Sequence, residues 1–218
     1  MLFARILILA LATAQVLQGE PVPVSSRTTT IYLTRHGETD GNLNGMVQGS
    51  IDVPLNSTGI EQAKAAKKEL EGVAFDAAYS SDLVRAKTTA AIVLEGRGIN
   101  VIIDPRLRER NFGVWEGKSF NDYYALTQEE RHKETEPTEE LLERAMCALQ
   151  EIAEAHSGKT VFAASHGNLI KNVIAPIMGI PAADLKIGNL AYAKLIYKDG
   201  VWSVADTQRI SITCSKVH

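Results

Sequence analysis

Cysteine is scarce in this chain. Cys147 and Cys214 are the two, they sit in dissimilar contexts, and no C-x-x-C or Cys/His spacing of a zinc site occurs. Structural zinc is therefore not expected. A disulfide would require export and Cα atoms within about 7 Å of each other, so the reading is two free or buried thiols. An excess of basic charge is also missing: 23 Lys and Arg against 26 Asp and Glu leave a net charge of −3. No whole-protein field draws such a chain to nucleic acid or to an anionic membrane, and an anionic ligand must be attracted by a local cluster. Repeats and heptads are absent. The apolar stretch 6–16 is too short to span a bilayer, which takes about 20 residues.

What is present suffices for one good core. The chain has 218 residues, 45% hydrophobic and 22% charged, and nothing demands a second domain. One basic residue, Arg5, precedes the apolar stretch, and the chain then turns polar at Gln18-Gly19-Glu20-Pro21. Residues 1–19 thus read as a signal peptide, cleaved after Ala14 or Gly19, and 20–29 as a linker rich in Pro, Ser and Thr. Secretion or a periplasmic location follows, without a stable membrane anchor after processing; the alternative is an apolar leader on a cytoplasmic protein. The domain is placed at 30–210 and a tail at 211–218.

Ile31-Tyr32-Leu33 breaks into the polar turn Thr34-Arg35-His36-Gly37-Glu38-Thr39. A strand that delivers its last side chains to a Gly-containing turn puts them where open α/β sheets bind ligands. An arginine fork suits phosphate, and a neutral imidazole beside it is a usable nucleophile. Further strands are expected at 77–80, 101–103 and 160–164, the last turning through Ser165-His166-Gly167-Asn168 into a helix over 169–177. That places His166 between a strand end and a helix start, a natural anion site. Helices are expected over 59–70, capped by Thr58, over 83–94, and from 138 to 156, with His156 in a closing turn and without a ligand role. Residues 191–207 read as a hairpin turning on Asp199-Gly200. Arg85, in a first helical turn, either pairs with Asp82 or faces an anion. Glu109 lies among arginines near Phe112 and Trp115, aromatic residues able to desolvate a general acid.

These stretches resemble the histidine phosphatase superfamily in its phosphoglycerate-mutase-like branch. Arg35-His36-Gly37-Glu38-Thr39 with Asn42 is similar to the opening motif. Gln48-Gly49-x-x-Asp52-x-Pro54-Leu55, Thr58-Gly59-x-x-Gln62-Ala63, residues 80–90 and Leu107-x-Glu109-x-x-Phe112-Gly113-x-Trp115-Glu116-Gly117 follow in the family's order, and Ser165-His166-Gly167 comes last. The resemblance implies a three-layer α/β/α sandwich, with a mostly parallel sheet and an antiparallel edge. It implies His36 as nucleophile, Glu109 as proton donor, Arg35, Arg85 and a protonated His166 on the phosphate, and Asn42, Gln48, Gly49, Gly167 and Asn168 around the substrate. Glu116 becomes structural, 118–137 a variable lid, the partner a small phosphomonoester rather than nucleic acid, and neither metal nor cofactor is required. The oligomeric state stays open.

The rival within the resemblance is a mutase, although 118–137 lacks the Arg-Arg pair such enzymes use for a substrate carboxylate. The acid phosphatase branch needs Arg-His-Gly-x-Arg-x-Pro and a late His-Asp, and neither occurs. Ala163-x-Ser165-x-Gly167 imitates a serine-hydrolase elbow, but only His218 lies downstream as a triad partner. A phosphate-binding protein without turnover is the non-enzymatic alternative.

Overall fold

The computed structural model describes residues 28–213. The signal-peptide reading of 1–19, most of the 20–29 linker, Cys214 and the rest of the tail from 214 on lie outside the described residues. Among the described residues no helix is long and apolar enough to cross a membrane.

The elements follow the order β1 (Thr29–Arg35), α1 (Asp40–Leu43), α2 (Ser57–Glu69), β2 (Ala77–Ser80), α3 (Val84–Leu94), β3 (Val101–Ile103), α4 (Phe120–Ala125), α5 (Gln128–Lys133), α6 (Thr138–Ala155), β4 (Thr160–Ser165), α7 (Gly167–Met178), β5 (Leu185–Lys198) and β6 (Val201–Ile212). The sheet runs β3-β2-β4-β1-β5-β6. Its first four strands are parallel, and β5 and β6 close one side antiparallel. This is the expected sandwich.

Strand alternation builds the layers. On β1, Ile31 and Leu33 enter the cluster formed with α6 and α7, while Tyr32 faces α2 and α3; on β4, Val161 and Ala163 join the first layer, Phe162 and Ala164 the second. Both faces are covered, which is why these central strands read as continuous apolar runs. Each fully buried large aliphatic contributes about 1.5–3 kcal/mol. The small residues of α2 and α3, Ala63, Ala66, Ala86 and Ala90, are buried as well, and they let the two helices approach the sheet closely.

Several boundaries differ from the sequence reading for identifiable reasons. Helix α2 starts at Ser57 because Asn56, not Thr58, caps it; its side chain accepts from Gly59 N at 2.9 Å. Asn56 is held there by Glu38, whose backbone and side-chain oxygens accept from it at 3.0 Å each. Helix α3 has no cap of its own: Asp82 is engaged with Arg108, and Val84 N donates instead to Asp52 of a distant loop at 2.6 Å. Helix α7 begins at Gly167, directly on His166 as N-cap. The hairpin turns at Asp199-Gly200 as expected, with φ of 52° and 81°. Its strands are longer than expected, since a register shift between Ile187 and Tyr192 hides β5's first half from a period-2 pattern. β1 already begins at the buried Thr29, whose hydroxyl donates to Ala153 O at 2.7 Å. At the other end β6 pairs through Ile212, inside the stretch read as a tail.

Two glycines let the Arg-His-Gly turn sit on the start of α2. A Cβ on Gly37 would lie 2.6 Å from Gly59 O, and one on Gly59 would overlap the Glu38 carbonyl. Backbone cannot yield here as a side-chain end can. Gly59→Ala is expected to lose about 1–3 kcal/mol in urea unfolding, the usual cost of overpacking; an unchanged midpoint would show that the two segments separate freely.

Candidate active site

The C-terminal ends of β1 and β4 and the N-terminus of α7 converge on a cavity of about 310 Å³, at the small end of ligand pockets. His36 is buried, and its Nδ1 lies 2.7 Å from Gly37 O. The carbonyl can only accept, so Nδ1 carries the proton and Nε2 keeps its lone pair. The His166 ring stands 5.2 Å away, centroid to centroid. Arg85 is fully buried and donates to Gly49 O and Ile51 O at 2.7 Å each; Arg35 donates to Ile187 O at 2.6 Å. The Asp82–Arg85 surface pair considered from sequence does not form, because α3 turns Arg85 inward and Asp82 binds Arg108.

Each guanidinium is thus aimed by carbonyls while part of it stays unused. Arg35 Nε, Arg85 Nε and both ring nitrogens of His166 are buried without a hydrogen-bond partner. Buried polar atoms are rarely left so, and the two guanidinium nitrogens, which can only donate and belong to residues lining the cavity, call for a ligand rich in acceptors.

Burial, followed by the Arg35 and Arg85 guanidiniums, holds the His36 imidazole well below its ordinary value. His166 is held down in the same way by burial, then Arg85, His36 and Arg35. Burial pulls Arg85 itself down to about 10. Both imidazoles are therefore held toward the neutral form in the free protein. The unfolded chain protonates these histidines first. Stability is therefore expected to fall as pH drops below the ordinary value of 6.5, by up to about 1.4 kcal/mol per pH unit for each histidine. Inorganic phosphate should offset the loss. Thermal melts between pH 7.5 and 5.5 with wild type and His166→Gln check this: an equally steep decline in the variant would assign it to other groups.

Glu109 sits beside these groups with its carboxylate accepting from Arg110 N at 2.9 Å, Asn168 N at 3.1 Å and Leu169 N at 3.2 Å. Two of the first-turn N–H groups of α7 are thereby taken by Glu109 and are not offered to a ligand anion. Phe112 lines the cavity, whereas Trp115 does not and packs against the cluster of Val47, Phe112 and Tyr123. Asn42 and Gln48 are fixed through their oxygens, which lie 3.1 and 2.8 Å from the Thr39 hydroxyl, and their amide N–H groups are left for a ligand. Gly49 lines the cavity and aims Arg85 through its carbonyl. Its φ of 50° and the Glu116 carboxylate packed against it leave no room for a side chain. Glu116 accepts from Ser50 N at 2.8 Å and Phe112 N at 3.1 Å, which latches that loop. Ser165 donates its buried hydroxyl to Leu107 O at 2.8 Å, so it is not exposed as an elbow nucleophile.

Other contributors were not visible in the sequence. Thr89 accepts from Gly37 N at 3.0 Å and donates to Arg85 O, tying the motif turn to α3. Asn189, delivered by the irregular start of β5, donates to His36 O and to Asn42, each at 3.2 Å. Arg144 of α6 donates to the carbonyls of Arg106, Arg108 and Glu109 at 2.7, 2.8 and 2.9 Å and pairs with Glu136. It clamps the strand of chain that carries Glu109. Arg144→Met is expected to lower turnover by about 10²-fold through misplacement of that carboxylate, with a larger loss for alkyl than for aryl phosphates; equal losses on both would mean a general loss of fold.

The family model of the histidine phosphatase superfamily (branch 1) matches residues 31–209. The chain belongs to the histidine phosphatase superfamily. Relatives in that superfamily include a probable phosphoglycerate mutase GpmB of Escherichia coli O1:K1 / APEC, 31% identical over 189 residues, 79% of this chain and 86% of the relative. Among solved structures, Bacillus stearothermophilus YhfR superposes with a TM-score of 0.75 at 32% identity, covering 81% of this chain and 95% of its own. Phosphoserine phosphatase from Entamoeba histolytica, in complex with 3-phosphoglyceric acid, superposes with a TM-score of 0.73 at 26% identity, covering 83% and 96%. The superfamily thus places both phosphatases and mutases on this scaffold. Among the described residues, no group of three or more His, Cys, Asp or Glu side chains is arranged to hold a metal ion. The one free cysteine described, Cys147, is exposed on α6.

Proposed function

We propose that this superfamily member hydrolyses small organic phosphomonoesters through a phosphohistidine. The observation that carries the reading is the set of unpartnered buried donors, Arg35 Nε, Arg85 Nε and the His166 ring, gathered around a neutral His36. A phosphoryl group placed among them brings the acceptors they lack.

The Nε2 lone pair of His36 attacks phosphorus in line, and the bond from phosphorus to the ester oxygen breaks. The departing alkoxide takes a proton from Glu109. His166 gains its proton as the dianion enters, and with Arg35 and Arg85 it neutralises the equatorial oxygens. Water then attacks the phosphohistidine as Glu109 takes its proton; the P–N bond breaks and His36 regains its lone pair. Charge neutralisation by these side chains is work a metal ion can do elsewhere, so turnover is expected to persist in EDTA.

The likeness to a probable phosphoglycerate mutase favours a second reading, in which the phosphoryl group returns to the organic product. The absence of an Arg-Arg pair in 118–137 supports hydrolysis. Labelled substrate quenched in alkali should leave a base-stable, acid-labile phosphoryl group on the protein. Incubation with 3-phosphoglycerate should yield glycerate and inorganic phosphate; accumulation of 2-phosphoglycerate instead would establish the mutase, and binding without either product would reduce the protein to a phosphate binder.

A further inference from the structure

Beyond the phosphate cradle the cavity holds two cations that this chemistry does not use. Lys171 lies on α7 four residues after Gly167, one helical turn along the same face, and Lys186 stands at the start of β5 beside Ile187; all of them line the cavity. No carboxylate lies within ion-pair distance of either ammonium among the described residues; the ion pairs formed there involve other lysines and arginines. Glu109, the carboxylate that lines the cavity with them, is already satisfied by three backbone N–H groups.

Lys171 is partly buried, and burial followed by the neighbouring Arg110 makes its charge less favourable, opposed by Asp184. Arg110 is itself buried, with its Nε unpartnered. Withdrawing an ammonium from water beside a guanidinium, with no counter-ion in contact, is costly unless a ligand supplies the anion. Arg35, Arg85 and His166 already match a phosphate dianion. Phe112, Phe120 and Tyr124 line the same cavity and give it apolar surface for a short organic body.

We propose that Lys171 and Lys186 form a second anion subsite, so that the substrate is a small phosphomonoester bearing a further anionic group, a carboxylate or a second phosphate, a few bonds from the ester. This rests on the hydrolytic reading above, and its test separates the two.

The test compares kcat/KM for 3-phosphoglycerate and glycerol 3-phosphate, which differ in a carboxylate against a hydroxymethyl group. Wild type is expected to prefer the former by about 10- to 100-fold, the range of one charge-assisted contact, mainly through KM. Lys171→Met and Lys186→Met should each shrink that ratio, whereas Lys67→Met, on the remote surface of α2, should leave it intact. A wild-type ratio near one, or a ratio untouched in both cavity variants, overturns the subsite while leaving hydrolysis standing. If neither ester releases phosphate, hydrolysis fails instead. Calorimetric binding of the same two compounds to the same variants then decides: a Kd ratio that collapses with Lys171→Met supports the subsite, and equal affinities overturn it.

Discussion

Alanine at position 36 is expected to lower phosphate release by about 10⁴- to 10⁶-fold, the scale on which covalent nucleophiles are lost. The size follows from how completely the site is organised around one ring. The Gly37 carbonyl fixes the tautomer, and the Asn189 and Leu190 donors hold the residue's own carbonyl. Burial with the two guanidiniums keeps the ring neutral. Among the described residues His36 is the one histidine that lines the cavity, and His166, buried behind it at the N-cap of α7, is placed to hold the transferring group. Removing the ring leaves Arg35 and Arg85 in position, so His36→Ala should still bind inorganic phosphate while failing to form the acid-labile phosphoenzyme. Phosphate release within about tenfold of wild type, a barrier change of only about 1.4 kcal/mol, would remove His36 from the nucleophile's role.

The second large effect belongs to Glu109, and it should depend on the leaving group. For an alkyl phosphate, Glu109→Gln is expected to cost about 10²- to 10⁴-fold, the usual worth of general acid–base catalysis. For p-nitrophenyl phosphate the first step needs no proton, since p-nitrophenolate departs as an anion. Dephosphorylation still needs the base. The variant should therefore give a burst of one p-nitrophenol per protein followed by slow turnover, with phosphohistidine accumulating. The amide nitrogen that Glu109→Gln introduces would oppose one of the three backbone N–H groups from which the carboxylate now accepts, so circular dichroism and phosphate affinity should accompany the kinetics. Alkyl and aryl esters slowed by the same factor, without a burst, would sink the acid–base assignment.

How far the sequence could be read depended on the range of the interaction. Arg35 and His36 were legible because a strand and its turn are contiguous, and the helix after His166 because a buried strand breaks abruptly into Ser-His-Gly. The cap of α3 was not legible, since its acceptor is Asp52, 32 residues earlier. Arg144 looked like one charge on an amphipathic helix, and only the packing of α6 against the Glu109 loop reveals three carbonyls converging on it. Trp115 was misplaced for a related reason. Nearness in sequence to Glu109 suggested contact, but the chain turns and sends the indole against the cluster of Val47, Phe112 and Tyr123. Asn189 sits in the register shift of β5, where the alternation that betrays a strand is broken.

Periodicity and turn chemistry in the sequence, which act over a few residues, placed the main strands and helices along the chain and the chemical type of the residues brought to the strand ends, while the sandwich came from the resemblance that the motifs carry. The tertiary structure alone decided which donors remain unpartnered, that both imidazoles are neutral, that Glu109 occupies the α7 terminus, and that Lys171 and Lys186 share one cavity. Those properties depend on burial and on groups brought together from distant parts of the chain, and neither is written in any local stretch.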